Sequence, residues 1–95
     1  MTASESEQQR IEALAERDSG GDPDWRACSA PGTFGCHEAL HVSSLLMDLV
    51  ATQLLEHEAV VQNSDWYRLA DEAHTALFNL YQAIGAVHLQ GGTSA

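Results

Sequence analysis

The residues with the most chemical reach fall between Cys28 and His41. His37-Glu38-Ala39-Leu40-His41 fits the pattern H-E-x-x-H. On a helix, two histidines four residues apart share a face and can both reach one zinc ion. The glutamate between them can then act as general base on a metal-bound water. A hydrolase of that kind needs a third ligand, for which Asp48, Glu56, His57, Glu72 and His74 are the candidates. It ordinarily also braces the motif helix against a sheet, and no strand pattern is visible here. The plainer reading is a pair of solvated or interfacial histidines. Cys28, His37 and His41 together offer three of the four N or S ligands of a structural zinc. Cys36 directly precedes His37, and neighbouring helical side chains point about 100° apart, so Cys36 joins such a metal only if the helix begins at His37. The plainer reading is two reduced thiols, and a Cys28–Cys36 disulfide is disfavoured in a reducing compartment. No cofactor is expected; zinc is the one that these residues could hold.

The same segment has a second possible use. Gly32-Thr33-Phe34-Gly35 stands just before the free N–H groups of a helix, and a helix N-terminus binds phosphate without lysine. Phe34 can stack on a base, and His37, His41 and Ser44 continue a polar stripe away from it. Arg26 and Arg68 are the cations outside the N-terminal arm, and Tyr67 stands beside the latter. In a symmetric oligomer each would recur and could converge on an anion between subunits. The candidate ligand-binding set is therefore Arg26, Thr33, Phe34, His37, His41, Ser44, Tyr67 and Arg68. The plainer reading makes Phe34 a staple packed on the helices and Gly35 only the start of one. His57, His74 and His88 read as ordinary helix residues, and Tyr67, Phe78 and Tyr81 as interface core.

These residues must be carried by helices. Residues 1–24 read as an acidic, partly flexible arm, with seven acids, two arginines and a short helix near Ser6–Arg17. Residues 25–36 read as a loop in which Trp25 and Phe34 give something to bury. A first long helix is expected over Gly35–Glu58, with an apolar arc of about 200° that includes Leu40, Leu46, Met47, Leu49 and Val50. A connection over residues 59–63 comes next, with Asn63 or Ser64 as cap. A second long helix is expected over Asp65–His88, ended by Gly91-Gly92. Its main apolar stripe is Trp66, Leu69, Ala70, Ala73, Leu77, Leu80, Ile84 and Val87. A second line of Tyr67, His74, Phe78, Tyr81, Gly85 and His88 lies on its flank. Residues 25–90 thus form an antiparallel helical hairpin, and 91–95 a tail. The fold class is all-α, and the spare apolar surface argues for assembly into a helical-bundle oligomer.

Composition narrows the partners. The 95 residues carry 14 acids against four arginines and no lysine, for a net charge of −10. Binding to duplex nucleic acid by counterion release needs cations that this chain lacks. No apolar run approaches the roughly 20 residues that span a membrane. Met1 is followed by Thr-Ala-Ser-Glu rather than by a basic and then apolar stretch, so the chain reads as cytoplasmic. The expected partners are a second copy, a small anionic ligand, or a basic protein met by the acidic surface.

The hairpin and the stretch Trp66-Tyr67-Arg68-Leu69-Ala70…Phe78…Ala83-Ile84 resemble a family of small phage-encoded helical hairpins. These are the cyclic-nucleotide sponges that counter the CBASS and Thoeris immune systems. The resemblance covers about 55 residues, Gly35 to Gln90, in spacing and architecture. It implies closed oligomers that hold a signalling nucleotide between protomers, with Arg68 placed where a family-like cation serves. The family's first helix commonly opens with a Tyr-Arg segment, where this chain has Phe34-Gly35-Cys36-His37-Glu38. The resulting expectation is a non-enzymatic helical oligomer that sequesters a small anionic ligand such as a cyclic nucleotide. Two alternatives stay open: an acidic inhibitor or adaptor for a protein, and a zinc-binding protein built on His37-Glu38-x-x-His41.

Overall fold

The computed structural model describes residues 2–93, with side chains for residues 2–89. Regular structure among them is entirely helical: α1 (Ala3–Ser19), α2 (Trp25–Cys28), α3 (Phe34–Leu49), a π-helical turn (Val50–Leu54), α4 (Glu58–Val61) and α5 (Ser64–Thr93). The chain is all-α.

Each helix starts where a polar side chain or a turn lets it start. Thr2 caps α1 by accepting the Glu5 N–H at 3.2 Å, and Glu5 and Arg17 stand at the ends whose partial charges they complement. α1 outruns the expected 6–17 at both ends, yet none of its residues is buried. Asp18 ties it to α2 by accepting from the Trp25 indole at 3.1 Å and from Arg26 at 2.9 Å. The expected loop over residues 25–36 contains α2 and a tight turn, Ala30-Pro31-Gly32-Thr33. There the Thr33 N–H donates to Ala30 O at 3.0 Å, and Gly32 takes the left-handed φ of 85° that such a turn requires.

α3 and α5 pack along each other in opposite directions. The rings of His37 and His88 lie 5.7 Å apart, and Leu40 lies against Gly85. The residues turned inward are Leu40, Ser43 and Met47 on α3, Val50 where the π turn begins, and Ala70, His74, Leu77, Tyr81, Ile84 and His88 on α5. This corrects the expected face of the second helix. Trp66, Leu69, Ala73, Leu80 and Val87 of the expected main stripe point away from α3, whereas His74, Tyr81, Gly85 and His88 of the expected flank face it. A single partner helix covers one line, and these two lie side by side. Tyr81 and the histidines can sit at the contact edge with polar tips still able to find water or backbone.

Three boundaries also differ from expectation. The first long helix ends near Leu54 instead of Glu58, because Leu55 N–H bonds back to Val50 O at 2.9 Å across one extra residue. His57 then turns extended, and its Nδ1 accepts the Ala59 N–H at 3.1 Å to start α4 inside the expected connection. Asn63 caps α5, its Oδ1 accepting from Asp65 and Trp66 N–H at 3.1 Å each. α5 then runs through Gly91 and Gly92 to Thr93. Glycine weakens a helix by about 1 kcal/mol but breaks none of its backbone bonds, so the pair does not stop it. Ser94 and Ala95 of the expected tail lie outside the described residues.

The core is thin. Among the described residues only Ser43 and Ala70 are buried outright, and the Ser43 hydroxyl is satisfied by Ala39 O at 2.9 Å. Gly35 matters for a different reason. A methyl group there would sit 2.4 Å from the Cys28 carbonyl oxygen and 2.9 Å from Ser29 Cα, so α2 can rest on the first turn of α3 only over a glycine. At Gly85 a methyl would meet Leu40 Cδ1 at 3.6 Å, an ordinary contact. Gly35→Ala is therefore expected to lower stability by about 1–3 kcal/mol in urea melts. Gly85→Ala is expected to be neutral or to gain up to about 1 kcal/mol. Equal midpoints for the two variants would mean that α2 does not rest on α3 at Gly35.

Candidate functional site at the start of α3

Thr33 takes the N-cap position of α3 but does not cap it. Its hydroxyl turns away and donates to Cys28 O at 3.0 Å, with Ala30 O also within reach. The first intrahelical bond runs from His37 N–H to Thr33 O, so the amides of Phe34, Gly35 and Cys36 have no acceptor within the helix. The first turn also holds no acid, unlike that of α1 or α5. The positive end of the α3 dipole is thus neither capped nor neutralised by a side chain of its own.

Phe34 stands on this turn 78% exposed, which corrects both the expectation that the segment buries it and the reading of it as a staple. A phenylalanine packs as a staple only against an apolar neighbour one turn on, and the corresponding position is occupied by His37 or Glu38. Behind it, Gly32 N–H donates to His88 Nδ1 at 2.9 Å, which pins the turn to the far end of α5. Gly32 belongs to the expected Gly32–Gly35 segment, whereas His88 was read as an ordinary helix residue. The signal for His88 was the seven-residue recurrence His74, Tyr81, His88, whose last member falls opposite the start of α3 in an antiparallel pair.

Of the sequence-derived set, Arg26, Thr33, Phe34 and His37 gather at this end of the molecule. His41 and Ser44 follow along α3, His41 exposed and Ser44 half-buried. Tyr67 and Arg68 do not join them. Arg68 lies 20 residues from His88 on one helix, roughly 30 Å away at 1.5 Å per residue. Every arginine has a partner in its own chain. Arg10 pairs with Glu7, Arg26 with Asp18, and Arg68 with Glu72 at 2.8 Å, while Arg17 donates to Ala13 O at 3.3 Å. Arg26 also lies over the Trp25 ring, 4.9 Å from its centroid. These pairs are exposed, and such pairs contribute about 0–1 kcal/mol, so an incoming anion can compete for the cation.

Among the described residues no three His, Cys, Asp or Glu side chains come together in a group that could hold a metal ion, Cys28, His37 and His41 included. Both cysteines are free, Cys28 exposed and Cys36 half-buried. No helix among the described residues is long and apolar enough to cross a membrane. Comparison with family models, with curated proteins and with solved structures finds no match to this chain.

The junction between α1 and α2 carries a pH dependence. Hydrogen bonds from Arg26 first, and from Trp25 second, hold the Asp18 carboxyl below its ordinary value of 3.8. A carboxyl lowered on folding contributes its full stabilisation above the unfolded value and loses it as pH falls through the folded one. The Trp25–Asp18 contact is accordingly expected to hold at pH 3.8 and above and to release only as pH falls further, through the lowered folded value. The Trp25 indole N–H resonance should follow that change on acid titration, and in Asp18→Asn the acid transition should vanish.

Proposed function

We propose that this protein acts by binding and not by catalysis: a small helical hairpin that assembles into a homo-oligomer and sequesters a small anionic ligand of the cyclic-nucleotide type at the opening turn of α3. The observation that carries the reading is Phe34, a large aromatic left in water on a helix start that is uncapped and free of acids. Burying such a side chain ordinarily contributes about 1.5–3 kcal/mol, and the fold forgoes it. A ring in that place can stack on a nucleobase while the amides behind it meet a phosphate. His37, beside Phe34, adds a donor to the same turn. Arg26 can exchange Asp18 for a phosphate oxygen. Tyr67 and Arg68 would reach this turn only from another chain of the oligomer. The resemblance to the phage-encoded sponges supports the ligand class.

Isothermal titration with cyclic di- and trinucleotides tests this. Wild-type protein is expected to bind at least one of them saturably. Phe34→Ala should weaken that binding by about 1–3 kcal/mol, the usual contribution of one base–aromatic stack. Absence of heat with every nucleotide at 100-fold excess would overturn the reading and leave a basic protein as the partner to seek.

A further inference from the structure

Two lines of exposed apolar residues, one on α3 and one on α5, share a face. On α3, Ala39, Val42, Leu46 and Leu49 are all exposed, and each precedes by one residue a member of the inward line Leu40, Ser43, Met47 and Val50. On α5 the exposed positions 66, 69, 73, 76, 80, 83 and 87 alternate in steps of three and four. From 69 onward each precedes by one residue an inward position. The offset is therefore about 100° in the same rotational sense on both helices. Because the two helices run in opposite directions, one rotational sense on each carries both lines to the same side of the pair. Trp66 at 55%, Leu69 at 54% and Leu49 at 52% exposure set its scale. No charged residue falls on either line. The reverse side carries His41, Asp48, Asp71 and Gln82 together with the scattered apolar residues Leu45, Tyr67, Phe78 and Leu89.

We infer that this face is the contact between two copies of the chain, which close it as a four-helix bundle of two α3–α5 pairs. This rests on the self-assembly in the function proposed above and specifies its surface and partner. Three observations select a second copy. The chain exposes 7060 Å², against about 5,350 Å² for a typical folded monomer of this mass. The excess of about 1,700 Å², part of which belongs to the outlying α1, exceeds the roughly 800 Å² that each partner of a stable complex buries. Steps of three and four, sustained over three heptads on α5, are what a second helical pair at a shallow crossing angle requires. Neither line carries an acid, so a basic partner would find nothing on them to pair with, whereas two copies can meet along them without burying a charge; Glu38, Asp65 and Glu72 stand at the edges of the face, where they keep their water.

Light scattering coupled to size exclusion tests this on the full chain, with Leu69→Glu and Leu80→Glu as interface variants and Thr75→Glu as a control on the polar side. Wild type and Thr75→Glu are expected at twice the chain mass. Each leucine variant should raise the dimer dissociation constant at least about 100-fold, with helical circular dichroism retained because neither leucine faces α3. A wild-type monomer at 100 µM would overturn both the self-assembly and this face. A wild-type dimer that both leucine variants leave intact would overturn the face alone. A dimer that the leucine variants dissociate, in a protein that binds no nucleotide, would uphold this inference while the sequestration reading falls.

Discussion

Two long helices alone cannot bury what each of them offers, and this constraint shapes everything else in the molecule. α3 and α5 each carry two adjacent apolar lines, and a pair of helices can use one line from each. The pair is held by Leu40, Met47 and Val50 against Leu77, Tyr81 and Ile84, with Ser43 and Ala70 the most buried of the described residues. The opposing directions of the two helices put the start of α3 beside His88 and so give the Pro31–Gly32 turn something to hold. A local contact, independent of that alignment, sets α2 against Gly35. What the pair leaves uncovered is as consequential as what it covers.

Charge and apolar surface are segregated in this arrangement. Five of the 14 acids stand on α1 and none on the two exposed apolar lines, and the four arginines are each drawn to an acid or a carbonyl nearby. The turn that opens α3 escapes this pattern. Its first amides have no acceptor within the helix, its cap residue bonds elsewhere, and no carboxylate stands in its first turn. In a chain with net charge −10, a helix start free of acids opposes an anion less than the acid-bearing starts of α1 and α5.

The all-α class, the two long helices and the Asn63 cap were legible from apolar periodicity and capping chemistry, because those signals are local. Which face of α5 meets α3 was not. Trp66, Leu69 and Leu80 are more hydrophobic than His74, Tyr81 and His88, so a reading by hydrophobicity prefers the wrong line; the pairing depends on register across the two helices, which one segment does not encode. The end of α3 was missed because a π turn needs only one surplus residue and no residue type marks it. The site was legible in part. Phe34, Thr33 and His37 stood out by type and position, but the burial expected of Phe34 failed on its surroundings. Arg68 was grouped with Arg26 by charge alone, although a helix length separates them.

The π turn at Val50–Leu54 has a consequence for how this chain tolerates changes in length. One residue too many is looped into the helix there, which turns everything beyond it by about 100° relative to the line that Leu40, Ser43 and Met47 follow. Removing a residue between Val50 and Leu54 would not open a gap. It would let the backbone ladder relax to ordinary α spacing and rotate Leu54 and Leu55 around the axis, redirecting the chain as it enters α4. Length at this point therefore acts as an angular setting: homologous chains one residue shorter here would keep both helices and their contact while swinging the loop end of the molecule to a new bearing.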